Sequence, residues 1–174
     1  LFFIVSDQGS PAGLTNWDKN TLITVVGDPV ITEAVAVPNI EVKGNAVSIA
    51  DDYVSPTYTD HTNFNLVEVS SGNRTRIFTI ENTGGAQLDI SSVNITGTNA
   101  GDFSLTSPPS ATVAAFGSTS FEITFDPSAA GIREAEISIS NNDADENPYN
   151  FKISGNWMVP TDILVSDILT PANA

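Results

Sequence analysis

The sequence predicts an all-β protein with an immunoglobulin-like antiparallel β-sandwich at its centre. From residue 64 onward, short segments alternate apolar and polar residues, and clusters of Gly, Asn, Asp and Pro separate them. Hydrophobic residues make up 40% of the chain and charged residues 16%, which is typical of a globular protein. The length of 174 residues suits one complete sandwich with flanking pieces.

Seven strands are predicted in this region, at residues 64–69, 74–81, 88–96, 103–106, 119–125, 132–140 and 149–154. Three of them alternate cleanly, and since successive side chains point to opposite faces of a sheet, their apolar residues are expected to form the core. These core residues are Phe78 and Ile80; Phe121, Ile123 and Phe125; and Ala135, Ile137 and Ile139.

A further strand is predicted upstream and contains Ile40, Val42, Val47 and Ile49. Lys43-Gly44-Asn45 interrupts it, and the glycine indicates a bulge or a switch between sheets. The sequence thus divides into three parts: a β-hairpin in 1–37, the sandwich in 38–156, and a linker with the first strand of a further unit in 157–174.

The charge of the chain limits its partners. Twenty-one acidic residues against six basic ones give a net charge of −15, which repels nucleic acid and anionic lipid. With no cysteine, neither a disulfide nor a thiolate zinc site can form. No apolar run is long enough for membrane insertion. An acidic, soluble surface favours an extracellular or cell-surface location.

Catalytic patterns are missing from the sequence, so no enzymatic activity is predicted. His61 is the only histidine and follows Asp60, but no recognisable nucleophile accompanies the pair. The chain also lacks the motifs of serine hydrolases, zinc peptidases and phosphate-binding loops.

Calcium is the cofactor that the sequence suggests. The candidate ligands are Asp143, Asp145, Glu146 and Asn147. They resemble the first half of an EF-hand loop, but Pro148 replaces the required glycine and Ser154 occupies the twelfth position. Two interpretations stay open: a weak calcium site, or a solvated hairpin tip in which Asn141, Asn142 and Asp143 bind the backbone of the turn.

Aromatic side chains offer a carbohydrate-binding alternative. The candidates are Trp17, Tyr53, Tyr58 and Trp157. Each is predicted in a loop or at the end of an element, where a flat ring can stack on a sugar. Their dispersal along the chain equally suits packing roles.

Five motifs occur in order along the chain: PNIEVKGN at 38–45, FTIENTG at 78–84, ITGTNAGDF at 95–103, FEITFDP at 121–127 and NDADENPYNF at 142–151. Together they resemble the Hydin-like, ASH-type immunoglobulin-like family found in bacterial "choice-of-anchor D" surface proteins. The resemblance covers about 38–156. It implies a sandwich of seven or eight strands that serves as a spacer or protein-binding unit. More weakly, IVSDQGSP at 4–11 and VPTDILVS at 159–166 are similar to parts of cadherin-like domains, so that 1–37 resembles the tail of a preceding one.

These observations favour a structural or adhesion module of a large extracellular bacterial protein. Its expected partners are neighbouring domains or identical subunits, and surface glycans are a further candidate. Strand addition between subunits would form filaments. The candidate assembly strands are Leu1, Phe2, Phe3, Ile4 and Val5, and Ile163, Leu164 and Val165. The alternative is a calcium- or carbohydrate-binding accessory module of a secreted protein.

Overall fold

The computed structural model of the protein describes residues 35–68 and 72–158. This part of the chain contains ten strands and one 3₁₀ helix. The strands are β1 (Ile40–Gly44), β2 (Val47–Ile49), β3 (Asn63–Glu68), β4 (Arg74–Asn82), β5 (Leu88–Thr96), β6 (Phe103–Ser107), β7 (Thr112–Val113), β8 (Ser118–Phe125), β9 (Gly131–Asn141) and β10 (Tyr149–Met158). The helix, Ala100–Asp102, precedes β6. The predicted all-β fold is confirmed.

Two five-stranded sheets form the sandwich. The first has the order β2-β1-β4-β8-β6, and the second has the order β3-β10-β9-β5-β7. All the strand pairs are antiparallel except β3 and β10, which run parallel. Strands from both sheets contribute to a single hydrophobic core.

The alternation of apolar residues correctly predicts the inner faces of β4, β8 and β9. All eight core residues named from the sequence are at most 5% exposed. Phenylalanine rings fill the middle: Phe78 stacks on Phe121 with ring centroids 5.3 Å apart, and Phe103 stacks on Phe125 at 4.8 Å. Burying such a side chain contributes about 1.5–3 kcal/mol to folding.

The prediction of one interrupted strand before residue 50 is wrong. The segment folds as a hairpin in which β1 pairs antiparallel with β2, with Val42 opposite Ile49. Asn45 and Ala46 lie between the strands with φ values of 52° and 61°. Two consecutive positive φ values are what a tight hairpin turn requires, so the chain reverses where the sequence suggested only a bulge.

Smaller differences concern the ends of strands. β10 continues to Met158, four residues beyond the predicted end, and the short strand β7 was not predicted. Within residues 35–68 and 72–158, no helix is long and apolar enough to cross a membrane.

Candidate functional site

The loop between β9 and β10 carries the four residues predicted to bind calcium. Two of them are engaged within the protein. Asp143 Oδ2 accepts a hydrogen bond from Ile40 N at 2.9 Å, and Asn147 Oδ1 accepts one from Asn141 N at 3.0 Å. Asp143 is only 2% exposed. These two side chains therefore hold the loop against β1 and β9.

The prediction that this loop is a solvated hairpin tip is wrong in part. Asn141 is 6% exposed, and its Oδ1 accepts a hydrogen bond from Asp143 N at 2.7 Å, so both residues are buried while they bind the turn. Asn142 is exposed as expected, and its Oδ1 accepts a hydrogen bond from Asp89 N. Asp143 contacts the start of β1 through Ile40 N, and a local sequence pattern does not reveal a contact over 103 residues.

Asp145 and Glu146 are the two remaining calcium candidates. Asp145 is exposed, whereas Glu146 is half-buried. Burial raises the pKa of Glu146 above its usual value, and the nearby charges of Asp143, Asp145 and Asp51 add to the effect. In the described ranges, no three acidic or histidine side chains are arranged to hold a metal ion.

His61 lies in the loop before β3 with a φ of 64°. Its neighbour Asp60 does not pair with it, because the Asp60 carboxylate accepts hydrogen bonds from Thr62 N and Thr62 Oγ1. Burial alone would raise the pKa of Asp60, but these hydrogen bonds lower it below its usual range. Burial, followed by the charge of Arg76, lowers the pKa of His61. Asp60 therefore acts as a brace for its own loop.

The aromatic candidates separate into different environments. Tyr53 packs against the core and forms an isolated bridge with Phe151. Trp157 is half-buried in β10, opposite Gly131 of β9. Tyr58 is 60% exposed and lines a surface cleft. Trp17 and the assembly strands, Leu1–Val5 and 163–165, lie outside the described residues.

The cleft beside Tyr58 has a volume of about 380 Å³. Its walls come from the 55–58 loop, from β3 and from the adjoining ends of β9 and β10. The lining residues are Ser55, Pro56, Tyr58, Asn63, Asn65, Leu66, Ile132, Glu134, Ser154, Gly155 and Asn156. Glu134 is the one charged residue among the lining residues that the structure describes, in a protein whose net charge is −15.

A β-bulge in β3 shapes this cleft. Ser154 of β10 lies opposite Asn63, and Asn156 lies opposite Leu66, so β3 carries one extra residue between these pairs. Asn65 falls within the bulge and has a φ of 65°. Bulges redirect side chains at the edges of sheets. This bulge places asparagines 63 and 65 on the cleft.

Sequence reasoning missed two buried polar braces. Asn82 is 1% exposed; its Nδ2 donates to the carbonyls of Ala86 and Val113, and its Oδ1 accepts from Asn39 N. Asp102 Oδ1 accepts a hydrogen bond from Ser128 N. For Asn82, the signal in the sequence was an asparagine followed by Thr-Gly-Gly, which indicates a turn but not that the asparagine side chain is buried.

Asp102 also pairs with a cation. Its Oδ2 lies 2.7 Å from Arg133 Nε, at an angle outside hydrogen-bond geometry, so the contact is an ion pair. Both side chains are largely buried. The pair ties the 3₁₀ helix to β9, and it serves the fold.

The sandwich and its internal braces define an immunoglobulin-like domain. Residues 57–156, more than half of the chain, match the family of HYDIN/CFA65/VesB-like Ig-like domains. The chain belongs to this family, and the Hydin-like, ASH-type resemblance of the sequence motifs is confirmed. No curated protein matches the chain.

Several solved structures are similar. A Porphyromonas gingivalis W83 protein of unknown function is 18% identical, with a TM-score of 0.49, over 68% of this chain and 46% of that one. The Vibrio cholerae VesB protease is 16% identical, with a TM-score of 0.42, over 60% and 30%. The ASH/PapD-like domain of human CEP192 is 15% identical, with a TM-score of 0.40, over 83% and 98%. The chain therefore spans less than half the length of the two bacterial proteins.

Proposed function

We propose that the chain is a non-catalytic structural module of an extracellular protein, and that it positions neighbouring domains or identical subunits. The proposal rests on the hydrogen bonds that the buried polar side chains make to the backbone. Asn82, Asp102 and Asp143 each hold backbone from a distant part of the sequence. Groups engaged in this way stabilise one geometry and are not available as acids, bases or nucleophiles.

The charge supports an extracellular location. Twenty-one acidic residues keep such a chain soluble and separate from nucleic acid. The chain also has no cysteine whose state would depend on the redox potential of the compartment.

We further propose that identical subunits assemble by strand addition. β1 pairs with β4 only from Phe78 to Asn82. On that side of the sheet, no strand within residues 35–68 and 72–158 pairs with residues 74–77. A strand edge without a partner presents backbone donors and acceptors. A strand from another subunit is the partner that such an edge accepts.

The experiment is light scattering of the full chain over a hundredfold range of concentration. Ile4→Lys and Leu164→Lys each place a charge in a candidate assembly strand, and Phe116→Lys is the matched control because Phe116 is 78% exposed. We expect polymers that either strand variant abolishes and the control preserves. A full chain that is monomeric throughout would contradict assembly, although the role as a spacer would stand.

Calcium binding is a second candidate, favoured by one observation. Among the described residues, Glu146 Oε2 has no hydrogen-bond partner although it is buried, and the charge of Asp143 lies near it. A bound cation would accept coordination from this oxygen and would offset the repulsion between the two carboxylates. The measurement is the melting temperature in millimolar calcium and in chelator, since a ligand that binds the folded state raises it. Equal melting temperatures would exclude this candidate.

A further inference from the structure

The cleft beside Tyr58 combines carboxamide NH₂ groups with exposed apolar side chains. Asn63 Oδ1 accepts a hydrogen bond from Asn65 N at 2.8 Å, and Asn65 Oδ1 accepts one from Leu66 N at 2.7 Å. Within residues 35–68 and 72–158, neither Nδ2 group donates a hydrogen bond. The carboxamides are therefore fixed by their oxygen atoms, and their NH₂ groups are left to a ligand.

Apolar surface lies next to these donors. Tyr58 is 60% exposed and Ile132 is 68% exposed, and both line the cleft. Asn156 and Glu134 add a further carboxamide and a carboxylate. The volume of about 380 Å³ lies within the range of ligand clefts, roughly 300–1,000 Å³.

We propose that this cleft binds a neutral glycan. A pyranose ring has an apolar C–H face that packs on an aromatic ring, here that of Tyr58, and hydroxyls that accept hydrogen bonds from carboxamide NH₂ groups. Asn63, Asn65 and Asn156 supply those donors. Within residues 35–68 and 72–158, no lysine or arginine lines the cleft, and Glu134 disfavours an anionic sugar.

The bulge argues for a glycan over a peptide strand. An added strand needs a regular ladder of backbone groups, and the extra residue at Asn65 interrupts the ladder of β3. The same bulge fixes the asparagine side chains before a ligand arrives, which reduces the entropy lost on binding.

The test is affinity electrophoresis of the full chain through gels that contain dextran, a soluble β-1,3-glucan, galactomannan or, as the anionic comparison, alginate. We expect at least one neutral polysaccharide to retard the protein. Tyr58→Ala and Asn65→Gly are expected to weaken that retardation at least tenfold. Glycine tolerates the φ of 65° at residue 65, so this variant suits the backbone conformation and removes the side chain with its carboxamide.

Phe116→Ala is the control, because it removes an exposed aromatic ring from outside the cleft. Unchanged melting temperatures show that the variants are folded. Retardation by alginate alone, retardation that survives both cleft variants, or no retardation in any gel would overturn the proposal. Competition by an extended peptide but by no oligosaccharide would do so as well. None of these results bears on the spacer role.

Discussion

Gly155 of β10 lies directly against the ring of Phe125 on the opposite sheet. A Cβ atom added to Gly155 would come within 2.7 Å of both Cδ1 and Cζ of that ring. The missing side chain allows Phe125 to reach the backbone of β10, where it also stacks on Phe103 and lies 6.0 Å from Phe64 between ring centroids. One glycine therefore determines how closely the two sheets pack at this end.

Gly155→Ala is expected to destabilise the protein by about 1–3 kcal/mol, because the ring must leave its place in a packed core. The free energy of unfolding from denaturant titration measures the effect. Gly101→Ala is the control, since an added Cβ there meets nothing within 4 Å, and its effect should stay within about 0.5 kcal/mol. Equal effects of the two variants would contradict the close packing at Gly155.

Asn82→Ala is expected to cost about 3 kcal/mol or more. The change removes the partner of Val113 O in a buried hydrogen bond and those of Asn39 N and Ala86 O in partly buried ones, and an unsatisfied buried group costs about 1–3 kcal/mol. Asn94→Ala is the matched control, because Asn94 is exposed and its side chain bonds only to Ser92 Oγ among the described residues. Denaturant titration of both variants gives the comparison, and a loss below 1 kcal/mol for Asn82→Ala would argue against its role as a brace.

The variants Asp143→Ala and Asp145→Ala test whether the acidic loop has a structural role, a calcium-binding role or both. The first leaves Ile40 N unsatisfied and should cost about 1–3 kcal/mol without calcium, whereas the second removes an exposed carboxylate and should cost about 0.5 kcal/mol or less. Both should reduce any calcium-dependent rise in melting temperature. If Asp145→Ala destabilises the calcium-free protein as much as Asp143→Ala does, the assignment of Asp143 as the brace is wrong.

His61 makes stability depend on pH. Its folded pKa lies below its usual value of 6.5, so the unfolded chain binds the proton more readily. Stability from this group is therefore present above pH 6.5 and is lost as the pH falls through that value toward the folded pKa. His61→Asn suits the φ of 64° and removes the titrating ring.

The measurement is the difference in melting temperature between pH 7.5 and pH 5.5. We expect a smaller difference for His61→Asn than for the unaltered protein. Since Asp60 titrates below its usual 3.8, it contributes little to this interval. Identical differences in the two proteins would show that the pKa of His61 is not lowered on folding.

Prediction from the sequence succeeded where structure depends on local periodicity. Phe121, Ile123 and Phe125 alternate along β8, and all three are buried because neighbouring side chains on a strand point to opposite faces. It failed at the β1–β2 hairpin, where Asn45 and Ala46 adopt positive φ although alanine rarely does so. Pairing with β4 holds that turn in place.

The cleft beside Tyr58 also combines one residue that the sequence predicted with others that it did not. Tyr58 was identified from the sequence as an aromatic residue in a loop. Its companions Asn63, Asn65 and Asn156 were not, because they meet only through the parallel pairing of β3 with β10, which joins residues about 90 positions apart. The extra residue in β3 has no local signal that separates it from a regular strand.

The sequence by itself determined the fold class, the family and the residues that face the core, since these follow from composition, motif order and a two-residue period. Only the tertiary structure decided which polar side chains are buried and what they hold. Asp143 and Ile40 are 103 residues apart, yet their hydrogen bond decides whether an acidic loop is a brace or a free set of ligands. Such a contact depends on the position of two sheets relative to each other, and that position is a property of the packed chain as a whole.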